Sequence, residues 1–208
     1  MSLWLVDSGT PGLTRLGSFE GLGLRGNGSV PVTAEAVRVA EGARLGPDGA
    51  GLDIALSVVL PWFLVLSASF SLGLMEAVTA ETGGHLARTR LEHLDQTLLQ
   101  QPLTRVDYAR MRVTTDTIAT LVDDTVRAVG AGREDAMLRV LESKAAAAEA
   151  ALVVTDLAMK VCGGAAFRKE LGVERAFRDA RAARIMAPTT DALLDFIGRA
   201  VGGLPLFD

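Results

Sequence analysis

Two adjacent glycines, Gly163 and Gly164, form the clearest candidate for a binding turn in this sequence of 208 residues. Residues without a Cβ let backbone amides come close to a phosphate or a ribose, so the pair suits an anionic ligand. The same pair suits the C-terminal cap of a helix, because glycine adopts positive φ at little cost. On the residues alone, a ligand-binding turn and a simple helix end are both open.

Few other side chains offer acid, base or nucleophilic chemistry. Two histidines, His85 and His93, lie in a polar connecting segment, where histidines are usually solvated. The only cysteine, Cys162, comes just before the glycine pair and is expected to pack as a small apolar residue. Two histidines and one cysteine lack the spacing of metal ligands, and neither a nucleophile elbow nor a Walker loop occurs. We therefore predict no metal site.

Composition and charge narrow the class of protein. The net charge is −4, and the sequence has no basic patch of the kind that nucleic-acid binding needs, so we predict no nucleic-acid partner. A single cysteine excludes an intramolecular disulfide and fits a reducing compartment. The first nine residues lack the basic head and the cleavage site of a signal peptide. These observations predict a cytoplasmic location.

One uncharged stretch, residues 54–75, is long enough to cross a bilayer. Pro61 and four serines interrupt it, and no basic cluster flanks it as the positive-inside rule requires. A helix that is apolar on all sides can instead form the buried centre of a bundle. We predict a buried helix and no membrane association.

The pattern of the chain predicts a mainly α protein, with a short β segment over residues 1–46 and an antiparallel helical bundle over residues 47–208. Turn residues and period-2 alternation, as at Val37 and Val39, indicate strands within residues 3–40. Beyond residue 45 the apolar spacing becomes helical, and short connections favour antiparallel neighbours. The predicted helices, the first ending at Gly83-Gly84, are Leu52–Thr82, Pro102–Val129, Glu134–Cys162, Val173–Met186 and one that follows Pro188.

The order of several short motifs resembles the acyl-CoA dehydrogenase family. The motifs that stand at the spacings of the C-terminal end of that family are Gly163-Gly164, Arg178-Asp179-Ala180, Thr189 and Ile197-Gly198-Arg199. The motifs that resemble the end of the family's middle β-domain are Pro11-Gly12, Gly23-Leu24-Arg25-Gly26, and Leu45-Gly46 with Gly49. The resemblance covers nearly the whole chain. It implies that family members carry an N-terminal helical domain and further strands ahead of the position that corresponds to Leu3.

The resemblance implies an FAD-dependent oxidoreductase acting on acyl-CoA thioesters, with several residues near the cofactor. Gly163 and Gly164 are expected to approach the FAD of a neighbouring subunit, and Arg88 to reach its phosphate or ring across the dimer. Thr189 is expected beside the flavin at the start of a helix. The residues themselves also allow a solvated Arg88 and a Thr189 that only caps its helix.

The position of the family's usual catalytic base holds no proton acceptor here. That base is commonly a glutamate two residues before the threonine, and this chain has Ala187 there. Some family members place the glutamate on the first bundle helix, but the corresponding residues around Trp62 include no carboxylate either. We therefore predict no catalytic residue, and little or no activity of this chain alone on acyl-CoA.

Other functions stay open at this stage. The chain is expected to form a homo-oligomer, or a hetero-oligomer as the non-catalytic subunit beside a full-length paralogue that carries the glutamate. A flavin monooxygenase on the same fold is another alternative, in which His85 or His93 takes the place of the missing carboxylate.

Overall fold

The computed structural model describes residues 1–205 as a mainly helical chain preceded by short strands. The chain divides into two compact units, Met1–Phe63 and a second that begins at Leu64. The mainly α class and the helical bundle are confirmed. The division predicted after residue 46 stays a prediction.

The first unit contains two separate pairs of short antiparallel strands. Strand β1 (Leu3–Trp4) pairs with β4 (Arg44–Leu45), and β2 (Leu13–Arg15) pairs with β3 (Val32–Ala34). The alternation at Val37 and Val39 is not part of a strand, so that part of the β prediction is wrong. The chain also makes a close approach beside this segment that the pattern does not reveal. A Cβ on Gly12 would lie 2.2 Å from the carbonyl oxygen of Glu35 and 3.2 Å from a Val37 methyl group.

Helix α1 runs from Gly51 to Arg88 and includes a π-helical turn over Ala55–Val59. Pro61 follows that turn closely; proline lacks an N–H and crowds the carbonyl four residues earlier, which a widened turn accommodates. The helix does not end at Gly83-Gly84, and that prediction is wrong. Gly83 instead admits a neighbour, because a Cβ there would lie 2.2 Å from the hydroxyl oxygen of Tyr108.

The remaining helices follow the predicted order, with ends close to the predicted ones. They are α2 (Pro102–Gly130), α3 (Ala136–Cys162), α4 (Val173–Ile185) and α5 (Thr190–Val201). The polar segment between α1 and α2, for which the sequence pattern predicts no strand, contains a hairpin of β5 (Arg90–Leu91) and β6 (Gln96–Thr97). Pro102 occupies the first turn of α2, where its missing N–H has no cost. A short 3-10 turn, Gly163–Phe167, follows α3.

Helix α3 is the axis of the bundle, because α2, α4 and α5 all pack against it. Its small side chains make this close packing possible, and the buried alanines are Ala145, Ala147, Ala148, Ala150, Ala151 and Ala158. Burial of apolar surface along this axis contributes most of the stability of the bundle, at roughly 25 cal/mol per Å² of apolar area.

Side-chain contacts fix the directions of the helices around α3. Helix α2 is antiparallel to α3: the Thr125 hydroxyl donates to the Arg139 carbonyl oxygen near one end, and Asp107 meets Lys160 near the other. Helix α4 is also antiparallel to α3, since Arg181 pairs with Asp156 and Arg184, nearer the C-terminus of α4, pairs with Glu149, which is earlier in α3. The predicted antiparallel packing is confirmed for these helices.

Two helical stretches, Gly51–Arg88 and Ala136–Phe167, have the length and apolar character to cross a membrane. Their most apolar windows are 22% and 39% buried within this chain. In α1 the buried large side chains begin at Leu64 and continue to Leu86, whereas Trp62 and Leu66 are exposed. The predicted burial of the whole 54–75 stretch is therefore wrong for its first part.

Candidate functional site

The backbone at the end of α3 requires glycine at one of the two candidate positions. Gly163 has φ 55° and ψ −136°, a conformation that side-chain-bearing residues rarely adopt. Its N–H donates to the carbonyl oxygen of Met159 and so closes the helix. Both Gly163 and Gly164 are exposed, and a Cβ at either would meet no atom within 4 Å. The pair is therefore a helix end and also an open stretch of backbone.

Arg88 lies at the same end of the bundle as the glycine pair. It is the last residue of α1, and the helix is tied to the end of α3 where the Cys162 thiol approaches the Thr82 hydroxyl at 3.9 Å. Arg88 lies six residues beyond Thr82 along α1, which corresponds to a rise of about 9 Å. The guanidinium is exposed, lies beside Gly84, and forms no hydrogen bond or ion pair with any residue of the described chain. Arg88 is thus free to bind an anion.

A buried carboxylate adds to the charge at this end, which we call the Gly163 end. Asp107, with a side chain only 6% exposed, accepts from Lys160 Nζ at 2.5 Å and from Arg110 at 2.9 Å. The hydrogen bond from Lys160 is the main reason that the pKa of the Asp107 carboxyl is lowered. Both cations are themselves exposed, so the Gly163 end presents positive groups around an anchored carboxylate.

The second candidate region is the turn between α4 and α5. The residue on which this turn depends was not singled out in the sequence analysis. Lys144 is 1% exposed, and its ammonium donates to the carbonyl oxygens of Ala183 at 2.9 Å, Met186 at 3.1 Å and Pro188 at 2.8 Å. Carbonyls at a helix C-terminus lack intrahelical partners, so a cation is favourable there. We call this region the Lys144 end.

Two opposing influences act on the Lys144 ammonium. Burial lowers the pKa of this amine from its ordinary value, because desolvation penalises the charged form. The carbonyl acceptors favour the charged form, since an ammonium donates three hydrogen bonds and has three partners here. A signal for this residue was present in the sequence. Lys144 is a lone cation directly before four alanines, and buried alanines follow it at helical spacing.

Thr189 caps helix α5 as one of the two interpretations predicted. Its hydroxyl accepts from the Ala192 amide at 3.4 Å, and its carbonyl accepts from Leu193 at 3.0 Å. Thr189 and Ala187 are exposed, and the peptide bond between Ala187 and Pro188 is cis. The capping role is confirmed, whereas the contact of Thr189 with flavin stays a prediction.

The structure brings together some of the predicted site residues and separates others. Lys144 and Gly163 are nineteen positions apart along α3, which at 1.5 Å per residue is about 28 Å. Arg88 lies with Gly163 and Gly164 at one end, and Thr189 lies at the other. One copy of the chain therefore does not gather the predicted cofactor residues around a single point.

The two histidines do not lie beside the Ala187 turn, where the flavin monooxygenase alternative would need one of them. His85 is one turn before the end of α1, with its Nδ1 3.4 Å from the Thr89 hydroxyl, at the Gly163 end. His93 is exposed in a short turn between β5 and β6. No group of three or more histidine, cysteine, aspartate or glutamate side chains suited to a metal ion occurs within residues 1–205.

Comparison with known proteins gives consistent relationships. The family model described as the acyl-CoA dehydrogenase C-terminal domain matches residues 49–202. The human very long-chain specific acyl-CoA dehydrogenase is 28% identical over 201 residues, covering 95% of this chain and 30% of that protein. The bovine short-chain specific enzyme is 28% identical over 195 residues, covering 92% of this chain and 45% of that protein.

The fold agrees with these sequence matches. The structure of butyryl-CoA dehydrogenase from Megasphaera elsdenii superposes with a TM-score of 0.89 at 23% identity, covering 96% of this chain and 51% of that one. The chain spans 30–45% of the length of the two enzymes compared by sequence. Because the family model matches well over half of its residues, the chain belongs to the acyl-CoA dehydrogenase family, whose fold is that of FAD-dependent oxidoreductases.

Proposed function

We propose that this chain forms the C-terminal helical part of an FAD-dependent oxidoreductase of the acyl-CoA dehydrogenase type, and that FAD binds between two copies of such a bundle. In this proposal Arg88, Gly163 and Gly164 of one subunit contact the phosphate-bearing part of the cofactor. Thr189 of the other subunit lies near the flavin ring. A single copy offers only one half of each site.

The observation that carries the proposal is the separation of the two ends of α3. Groups about 28 Å apart do not surround one flavin ring, whereas two copies can each supply one end. The chemistry of the Gly163 end suits a diphosphate. Arg88 offers an exposed guanidinium, which can donate two charge-assisted bonds, and the open backbone at Gly164 leaves room for a ligand.

The chain supplies no proton acceptor at the turn where most family members carry one. In the reaction of such enzymes a carboxylate removes the α-proton of the thioester while FAD accepts the β-hydride. Ala187 is exposed in this turn and has no group that can take a proton. We therefore propose that the chain binds FAD but has little activity on acyl-CoA by itself.

The first test is the visible absorbance spectrum of the purified protein, with and without added FAD. We expect a flavin band that remains with the protein after gel filtration. Protein that never retains FAD under these conditions would contradict the proposal. Reduction of a dye with acyl-CoA substrates would instead contradict the proposed lack of activity.

A matched pair of arginine variants sharpens this test. Arg88→Ala removes the free guanidinium at the Gly163 end, and FAD affinity is expected to fall by about tenfold or more. Arg127→Ala is the control. The Arg127 side chain is 76% exposed, its ion pair is with Asp123, and it lies near the end of α2 that is farther from the Gly163 end. Equal FAD affinity in the two variants would remove Arg88 from the site.

A second candidate is favoured by the combination of an intact Gly163 end with the alanine at position 187. In this alternative the chain is the non-catalytic subunit of a heteromeric acyl-CoA dehydrogenase and supplies Arg88, Gly163 and Gly164 to a paralogue that carries the glutamate. Co-purification from the native cells decides between the two assemblies. A second polypeptide of the same family supports the heteromer, and a homo-oligomer without such a partner supports the first proposal.

Two further properties belong to the proposal. The exposed apolar side chains of α1, such as Trp62 and Leu66, are covered by protein rather than by lipid, and the chain is cytoplasmic. Cell fractionation tests both properties, because recovery of the protein in the membrane fraction after a high-salt wash contradicts them.

A further inference from the structure

We propose that Lys144 is a positioning residue that holds the Met186–Thr189 turn in one conformation and thereby sets where Ala187 and Thr189 face a bound ligand. The inference rests on the proposed function for the identity of that ligand, which is the flavin and its thioester substrate. Its structural part concerns only contacts within this chain.

The ammonium reaches both sides of the turn. Its acceptors at Ala183 and Met186 belong to the end of α4, and its acceptor at Pro188 belongs to the approach to α5. One cation therefore ties the end of one helix and the start of the next to the N-terminal third of α3. A change in the turn that moved any of these carbonyls away by about 1 Å would break a hydrogen bond.

The choice of a lysine at this buried position indicates a role beyond filling space. No carboxylate in residues 1–205 forms an ion pair with Lys144, and burial acts against its charge. A methionine would occupy a similar volume without the desolvation cost of an ammonium. Methionine, however, cannot donate hydrogen bonds to the three carbonyls, which otherwise lack partners.

The residues held by Lys144 and the residues exposed by the turn are different. The ammonium binds backbone carbonyls from the inner side, while the side chains of Ala187 and Thr189 remain exposed on the outer side. On the α5 side, Leu193 is fully buried and donates to the Thr189 carbonyl, which fixes the first turn of that helix. The backbone of the turn is thus held by buried contacts while its side chains remain accessible, as a ligand-facing turn requires.

The test compares Lys144→Met with Val154→Ala, a cavity-forming control. Val154 is also fully buried on α3, but it is ten residues, or about 15 Å, from Lys144. Backbone amide exchange is measured by mass spectrometry or NMR for Ala192 and Leu193, and for the core of α3. In Lys144→Met we expect exchange at the two α5 amides to rise by about tenfold more than in the α3 core. In Val154→Ala no such excess is expected.

Two outcomes overturn the proposal: equal exchange patterns in the two variants, or an unchanged rate at Ala192 and Leu193 in Lys144→Met. Lys144→Arg, which keeps a cation with several donors, is expected to return these amides toward the wild-type rates. If Lys144→Met does not fold, NMR couplings across hydrogen bonds in the wild-type protein take its place. Coupling of Lys144 Nζ to the carbonyl carbons of Ala183, Met186 and Pro188 supports the proposal, and their absence overturns it.

The same variants separate this inference from the proposed function. Amide exchange in the turn is measured without cofactor, so it tests Lys144 even if the chain never binds FAD. When FAD does bind, Lys144→Met is expected to shift the flavin absorbance band, because Thr189 no longer has a fixed position. Lys144→Arg restores the band in that case, whereas a general loss of stability would not move it.

Discussion

The two ends of helix α3 are built on different principles. At the Lys144 end a buried cation is satisfied entirely by backbone carbonyls of the same chain, and the exposed turn is held from inside. At the Gly163 end the cations are exposed, Arg88 has no partner in the described chain, and the backbone is open. At the Lys144 end the polar groups are satisfied within the chain, whereas at the Gly163 end an exposed guanidinium and open backbone are accessible to a ligand. The difference suggests that stability and ligand affinity can be altered separately along one helix.

The same substitution at two lysines of α3 tests this contrast most directly. Lys144→Met leaves three buried or part-buried carbonyls without their donor and is expected to lower the free energy of unfolding by about 2–4 kcal/mol. Lys160→Met removes an exposed cation at the other end and is expected to have a much smaller effect on stability. Urea denaturation followed by circular dichroism measures both. Equal losses would show that the two ends do not differ as described.

The two adjacent glycines at the Gly163 end test two different properties. One is whether the backbone conformation requires glycine, and the other is whether the space around the backbone is open. Gly163→Ala forces a side chain into a conformation that only glycine adopts readily, so a loss of about 1–3 kcal/mol is expected. Gly164→Ala places a methyl group in open space and should leave stability nearly unchanged. Thermal unfolding of the two variants decides the matter. A destabilised Gly164→Ala would mean that this backbone is packed rather than open.

The glycines inside α1 provide a similar pair. Gly83→Ala brings a methyl group within 2.2 Å of the Tyr108 hydroxyl and is expected to cost about 1–2 kcal/mol. Gly84→Ala meets only the flexible guanidinium of Arg88, so the gain in helix propensity of up to about 1 kcal/mol should dominate. Opposite signs in chemical denaturation are the expected result. Replacing Tyr108 by alanine should abolish the penalty of Gly83→Ala.

The smallest expected effect is a pH dependence at the Gly163 end. The pKa of Asp107 is lowered in the folded state, chiefly by the hydrogen bond from Lys160. Its contribution to stability is therefore present above the unfolded pKa of about 3.9 and is lost as the pH falls through the folded pKa. Asp107→Asn should be less stable than wild type at neutral pH, and the difference should shrink below about pH 4. Ser29→Ala, an exposed substitution that removes no titratable group, is the control, and its difference from wild type should not follow this course.

Much of the bundle could be read from the sequence because its signals are local. Proline in the first turn marks the start of α2, and glycine after the last apolar position marks the end of α3. Family motifs located the glycine pair and Thr189. The absence of a carboxylate at Ala187 was equally a matter of reading one residue.

What the sequence did not reveal depends on contacts between distant segments. Gly83 looked like a helix end because its real role, the approach of Tyr108, involves a residue of another helix. The role of Lys144 depends on acceptors some forty residues later in the chain, which no local pattern places beside it. The separation of Arg88 from Thr189 could not be predicted either, since it depends on the relative directions of α1, α3 and α4.

The length of α3 has a genetic consequence. If each cofactor site combines the Gly163 end of one subunit with the Lys144 end of another, a damaged allele affecting one end can be complemented by an allele damaged at the other. Co-expressed Gly163 and Lys144 variants would then regain a fraction of the flavin content that neither attains alone, through the mixed assemblies in which two undamaged halves meet.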